Sequence, residues 1–95
     1  MTMTPKYKLD YTTLIKRDIK RIKKRGKDLK KLENVLNILI QGNKLPEKYK
    51  DHALNGNYKN FRECHIEPDW LLIYQIKENK LILIAFRTGS HSDLF

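Results

Sequence analysis

A single cysteine, Cys64, in 95 residues excludes an internal disulfide, and no C-x-x-C or other close ligand pair suggests a structural zinc site. A reducing, cytoplasmic setting is the expectation. The longest apolar run, Leu81 to Phe86, falls far short of the roughly 20 residues that a membrane span requires. The first residues, Met1 to Lys6, have no apolar signal core, so a soluble, unexported protein with no membrane partner is expected. With 3 prolines and 4 glycines against 40% hydrophobic residues, the chain is neither low-complexity nor disordered. There is no internal repeat and no linker, so residues 1–95 read as one domain. A chain of this length buries only about 60–65% of its unfolded surface, which implies a small core.

Acidic residues are also scarce, 11 against 20 Lys and Arg, and the imbalance is local. Residues 1–50 hold 15 basic and 5 acidic side chains, residues 51–95 hold 5 and 6, and ten basic residues fall between Lys16 and Lys31. Lysine-rich helix faces are commonly no more than solvated, but this density exceeds what solubility requires. It points to a polyanion or an acidic protein partner.

Lys6 to Asp10 alternates like a short strand. Asp10, Thr12 or Thr13 can cap a helix whose stripe is Ile15, Ile19 and Ile22 and which stops at Gly26. Asp28 can open a second, antiparallel helix on Leu29, Leu32, Leu36 and Leu39, ended by Gly42 and Asn43. Residues 45–57 read as connecting chain. Three strands follow, at about 59–66, 70–76 and 80–87, the last two joined as a hairpin through Lys77, Glu78 and Asn79. The order β-α-α-β-β-β predicts an α+β domain, two helices on a four-stranded, mostly antiparallel sheet. Spacing does not tell where the first strand pairs.

All three histidines lie in the second half. In the strand around residues 59–66, Phe61, Glu63, His65 and Glu67 share one face, while Arg62, Cys64 and Ile66 share the other. Cys64 and Ile66 look like core, with Cys64 unreactive, which leaves Glu63 and His65 on an open surface beside a turn carrying Asp69. A tail folding back after the last strand would bring His91 and Phe95 there. Histidine exchanges protons near neutral pH, and several imidazoles with an Arg suffice for phosphodiester cleavage when RNA supplies its own 2′-hydroxyl nucleophile. Arg62 and Arg87 are candidate phosphate ligands, and Trp70 or Phe95 could stack an unpaired base. A metal site built from His52, His65, Asp69 and His91 lacks the short ligand spacing that makes metal motifs persuasive.

Three segments carry a resemblance: Tyr49-Lys50-Asp51-His52-Ala53-Leu54-Asn55-Gly56, the run from Phe61 to Tyr74, and Arg87 to Phe95. Their K-D-H-x-L, R-x-x-H-x-x-P-D and G-x-H-x-x-L-F pieces together resemble the YafQ-like branch of the RelE/ParE toxin superfamily. The resemblance implies a RelE-like fold and an endoribonuclease toxin that cuts messenger RNA, often on the ribosome, without metal or other cofactor. It also implies a cognate antitoxin as partner. On that likeness His52, His65, Asp69 and His91 form the acid–base set, with His91 the general acid. Arg87 lies on the phosphate, and Phe95 positions RNA or His91. The base stays open among Asp69, His65, His52 and Glu63. The alternatives are a gyrase poison on the same fold, which would not need the histidines, and a basic RNA-binding module without turnover.

Overall fold

A computed structural model describes residues 4–95; Met1 to Met3 lie outside the described residues. The elements are β1 (Lys8–Tyr11), α1 (Thr13–Lys24), α2 (Leu29–Ile40), β2 (His52–Ala53), β3 (Arg62–Glu67), β4 (Trp70–Lys77), β5 (Ile82–Gly89) and α3 (His91–Leu94). Single-turn 3₁₀ segments at Glu47–Tyr49 and Gly56–Tyr58 bracket β2. The α+β class and the two long helices agree with the sequence reading. The sheet has five strands rather than four, because residues 52–53 pair with β3 inside what reads as connecting chain. Two residues carry no periodicity, so no pattern announces such a strand.

Strand order is β1-β5-β4-β3-β2, antiparallel except for β1, which runs parallel to β5 with Leu9 opposite Leu83. The two long helices make that possible, since a parallel return requires a crossover. Thr12 caps α1 by accepting from the Ile15 amide and donates its hydroxyl proton to the Phe86 carbonyl, so the cap also fastens the helix to β5. Asp28 caps α2. Gly26, at φ +82°, ends α1 in the left-handed conformation that glycine tolerates best.

One face of the sheet meets the helices. Ile15, Ile22, Leu32, Val35, Leu36 and Leu39 pack against Cys64, Ile66, Trp70, Leu72, Tyr74, Leu83 and Ala85. Burial pushes the Cys64 thiol far above its ordinary range, in keeping with a packing role. On the opposite face a smaller cluster of Leu71, Ile73 and Leu94, flanked by Leu54, Tyr58, Phe61 and Phe86, fastens α3 over the sheet. The tail therefore folds back as the sequence suggested.

Two irregularities redirect side chains. A register shift between His65 and Glu67 turns Glu67 away from the His65 face, to ion pairs with Lys27 and Lys31 at 2.8 Å each. This corrects the expectation that Glu67 lies beside Glu63 and His65. A second shift, between Ile73 and Tyr74, leaves Phe86 as the extra residue of β5 and sets Arg87 directly opposite Ile73. Directly opposed residues share a face, so the bulge turns Arg87 toward the small cluster.

A candidate active site on the open face of the sheet

Pairing aligns His52 with Glu63, Glu63 with Ile73, and Ile73 with Arg87, one row across four strands. His65, two residues along β3, lies on the same face, and His91 arrives from above as the first residue of α3. The imidazoles form a file, with ring centroids 6.3 Å apart for His52 and His65 and 5.8 Å for His65 and His91. Residues nearly forty positions apart in the chain are thus neighbours.

The partners of each ring settle which nitrogen is available. His52 Nδ1 lies 2.8 Å from the Lys50 carbonyl, which can only accept, so Nδ1 donates; Nε2 lies 3.1 Å from Glu63 Oε2. His65 Nδ1 donates, over a long 3.3 Å, to the Pro68 carbonyl, which leaves Nε2 unengaged. His91 Nδ1 donates to Asp69 Oδ1 at 2.6 Å, and the His91 backbone amide donates to the same oxygen at 2.9 Å. The amide first, then the imidazole, hold the Asp69 carboxyl below its usual range. The bond from Nδ1 to an ionised Asp69 fixes the ring and aims its Nε2 outward. Asp69 is therefore occupied in orienting His91, as the second member of a carboxylate–imidazole pair.

Glu63 is 6% exposed, and its Oε1 is buried without a hydrogen-bond partner among the described residues. Buried polar atoms in folded proteins are seldom left this way. The carboxylate as a whole lies close to two of the imidazoles: one donor atom from each of Glu63, His65 and His91 lies within 4.8 Å of the others. Two imidazoles and a carboxylate are also a donor set that suits a transition-metal ion. Widely spaced residues become a ligand cluster here only through folding, which the spacing criterion does not register.

Two of the predicted RNA contacts are placed elsewhere. Trp70 is 1% exposed in the helix-side core, with its indole N–H donating to Thr88 Oγ1 at 2.9 Å, so it offers no face to a base. As the first residue of the strand after the turn, it falls on the core parity set by Leu72 and Tyr74. Arg62 points to the helix side, where its guanidinium donates to Asp51 at 3.1 and 3.3 Å; the second Asp51 oxygen accepts from Tyr74 at 2.6 Å. It braces the segment before β2 and does not face the histidines. Phe95 is 62% exposed at the end of α3, edge-on to Tyr58 at 5.6 Å between centroids, so its ring is available.

Arg87 is on the site's face but is held by a residue that sequence reasoning missed. Asp18 on α1, 1% exposed, accepts from Arg87 Nε at 2.7 Å and Nη2 at 3.1 Å, and from the Thr88 amide at 3.1 Å. That amide lies beyond the end of β1, where no strand covers the β5 edge. The signal was present: Asp18 sits at i+3 between Ile15 and Ile22, inside the buried stripe of α1.

The position of α3 depends on a similar pair. Ser90 and Asp93 form a reciprocal capping box, and the Arg25 guanidinium donates to both Asp93 oxygens at 2.6 and 3.0 Å. Arg25, then the Ser90 amide, hold the Asp93 carboxyl well below its usual range. A carboxyl lowered in the folded state stabilises fully above its unfolded pKa of about 3.9 and loses that contribution as pH falls through the lowered value. The Tm difference between wild type and Asp93→Asn is therefore expected to be constant above about pH 5 and to shrink progressively below about pH 4. A difference that instead changed between pH 6 and 8 would assign the effect to another group.

Of the ten basic residues between Lys16 and Lys31, Arg21, Arg25, Lys27 and Lys31 are spent on internal ion pairs. Lys16, Arg17, Lys20, Lys23, Lys24 and Lys30 are exposed and make no ion pair among the described residues. They leave a cationic surface on α1 and the start of α2. No helix among the described residues is long and apolar enough to cross a membrane.

A family model for the bacterial toxin of type II toxin–antitoxin systems, YafQ, matches residues 7–95. The mRNA interferase toxin YafQ of Escherichia coli strain K12 is 42% identical over 89 residues, covering 92% of this chain and 94% of that protein. The fold superposes on YafQ in the E. coli DinJ–YafQ toxin–antitoxin complex with a TM-score of 0.87 at 40% identity, covering 95% of this chain and 98% of that one. A metal-bound toxin from Helicobacter pylori gives a TM-score of 0.89 at 45% identity, covering 94% and 99%.

Proposed function

Because this chain belongs to the YafQ family of type II toxin–antitoxin toxins, we propose that it is an endoribonuclease that cleaves messenger RNA by 2′-hydroxyl attack, using only its own side chains for proton transfer. The observation that supports this best is the file of imidazoles in which Nδ1 of each ring is tied to an acceptor, so that His65 and His91 both offer Nε2 to a substrate.

His65 Nε2 takes the proton of the 2′-hydroxyl. The oxygen attacks the adjacent phosphorus, and the bond to the 5′-oxygen breaks, leaving a 2′,3′-cyclic phosphate. His91, oriented by its bond to Asp69, delivers its Nε2 proton to the departing oxygen. Glu63 is nearly buried, with Oε1 closed to solvent, and its carboxylate stabilises positive charge on the neighbouring imidazoles as protons move. Arg87 keeps guanidinium donors beyond the two that Asp18 engages, and these face the phosphate as negative charge grows on it. Phe95 stacks a base. Each proton transfer is worth about 10²–10⁴ in rate, so the pair accounts for a large share of the acceleration without further chemistry.

A short RNA with one 2′-deoxy sugar at the cut position is expected to survive incubation with the enzyme, while the all-ribose version is cut. Cleavage of both at similar rates would mean that water attacks. By its relatives' names the chain works within a toxin–antitoxin pair, and the unpaired lysines of α1 suit an acidic antitoxin segment or ribosomal RNA.

A second reading rests on the cluster of Glu63, His65 and His91 together with the metal-bound relative. A metal held there would supply Lewis-acid stabilisation of the phosphate. The same lone pairs of His65 and His91 would be withdrawn from proton transfer. The two readings separate with a chelator: EDTA leaves the rate unchanged or raises it under the first and abolishes it under the second.

A further inference from the structure

β2 covers the outer edge of β3 only at Arg62 and Glu63, so from Cys64 to Glu67 that edge has no neighbouring strand. A cavity of about 450 Å³ opens there, between α2, the turn at Glu47–Tyr49 and the β3–β4 turn. It is lined by Tyr49, which is half-buried, by Asn34, Lys31, Lys48 and Lys50, which are exposed, and by His65 on the edge of β3. Lys31 is committed to Glu67, whereas Lys48 stands over the Tyr49 ring at 5.0 Å from its centroid. Lys50 is in the left-handed conformation at φ +49°, which is uncommon for a residue with a side chain. The reversal it produces brings the cavity wall and the His52 contact together, because the Lys50 carbonyl is the one that receives His52 Nδ1–H.

An aromatic ring, an amide with both donor and acceptor, and unpaired cations are the elements with which proteins hold one unstacked nucleotide. An acidic peptide would use the lysines but would have no need of the ring and amide together. His65 also gives the cavity a direction. The nucleotide that bears the attacking 2′-hydroxyl is the one 5′ of the cut, and it must lie against His65; His91, which serves the 3′ side, does not line the cavity. We propose that this cavity binds the base on the 5′ side of the scissile linkage, stacked on Tyr49 and read along its edge by Asn34. Lys48 leaves the ring and meets the phosphate. The assignment rests on the ribonuclease reading above and adds to it the place where base preference arises.

The test is steady-state cleavage of short RNAs that carry each of the four bases, or no base, immediately 5′ of the cut. Binding is measured alongside on the same RNAs blocked by a 2′-deoxy sugar. Tyr49→Ala is expected to raise KM and Kd about tenfold with kcat within about twofold, and Tyr49→Phe to behave as wild type. An abasic 5′ position should weaken wild type by the same factor and Tyr49→Ala no further, since both remove one contact. Asn34→Ala, at an exposed helix position that does not endanger folding, should compress the spread among the four bases. Independent, multiplying losses from the abasic site and Tyr49→Ala, or an unchanged base spread in Asn34→Ala, would overturn the assignment. So would sensitivity confined to the 3′ nucleotide. Should wild type cut no RNA, the ribonuclease reading fails instead, and the binding arm still decides whether the cavity holds a base.

Discussion

Replacing His91 with alanine is expected to lower the RNA cleavage rate by about 10²–10⁴ while leaving the fold in place. Under the ribonuclease reading the His91 Nε2 faces the leaving oxygen, and its Nδ1 is fixed by the bond to Asp69. His91 is exposed at the first position of α3, and that helix is fastened by Leu94, the Ser90–Asp93 box and Arg25 rather than by the ring. Loss of activity should therefore not be loss of structure, and unchanged circular dichroism and Tm would separate the two. Asp69→Asn should give a smaller loss, because it disturbs the orientation of His91 and leaves the proton donor itself in place. A His91→Ala protein that cleaved RNA at the wild-type rate would remove the central role assigned to the row of imidazoles.

Asp18→Ala is expected to cost about 3–5 kcal/mol of folding stability, because it strips the partner from a largely covered guanidinium and leaves a buried amide unsatisfied. A domain of this size has only about 5–15 kcal/mol in hand. Each kcal/mol corresponds to about 4–8 °C in Tm at this length, so the melting point should fall by at least about 12 °C. Asp18→Asn keeps one acceptor and the volume and should lose less. A loss below about 1 kcal/mol would mean that solvent reaches Arg87 and Thr88 and satisfies them. The same substitution frees Arg87 from the bonds that orient it, so cleavage measured well below the melting point should also drop. The buried carboxylate thus couples the stability of the α1–β5 contact to the orientation of Arg87.

Much of this arrangement was legible before any coordinates. Both helices, with Asp28 as one cap and Thr12 among three candidates for the other, follow from apolar spacing of three and four and from the side chains that compete for free amides, all within a few residues of one another. The three long strands follow from runs of branched and aromatic residues. The sequence also named the histidines, Asp69 and Arg87 as candidates for proton transfer at a phosphate, and the fold gathers the three imidazoles and Asp69 on one face. Where the reading missed, a single position had overridden a pattern. Trp70 and Arg62 looked available as aromatic and cationic side chains near the turn, yet their parity put them on the helix side, one in the core and one on Asp51. Glu67 kept the right parity and lost its face at a bulge. Asp18 was passed over because a charged residue in an apolar stripe reads as an interruption, when it marked a partner on another element.

What the chain determined by itself is what depends on near neighbours: helix and strand periods, caps, the basic first half and the inventory of proton-carrying groups. Tertiary structure alone decided that β1 returns parallel to β5, that two residues at 52–53 become a strand, and that two bulges choose the direction of Glu67 and Arg87. It alone brought Asp69 to the Nδ1 of His91, 22 positions away. These outcomes are pairings between distant segments, and period-two alternation restarts at every bulge. Which groups meet is therefore set by register, and register is a property of the packed sheet.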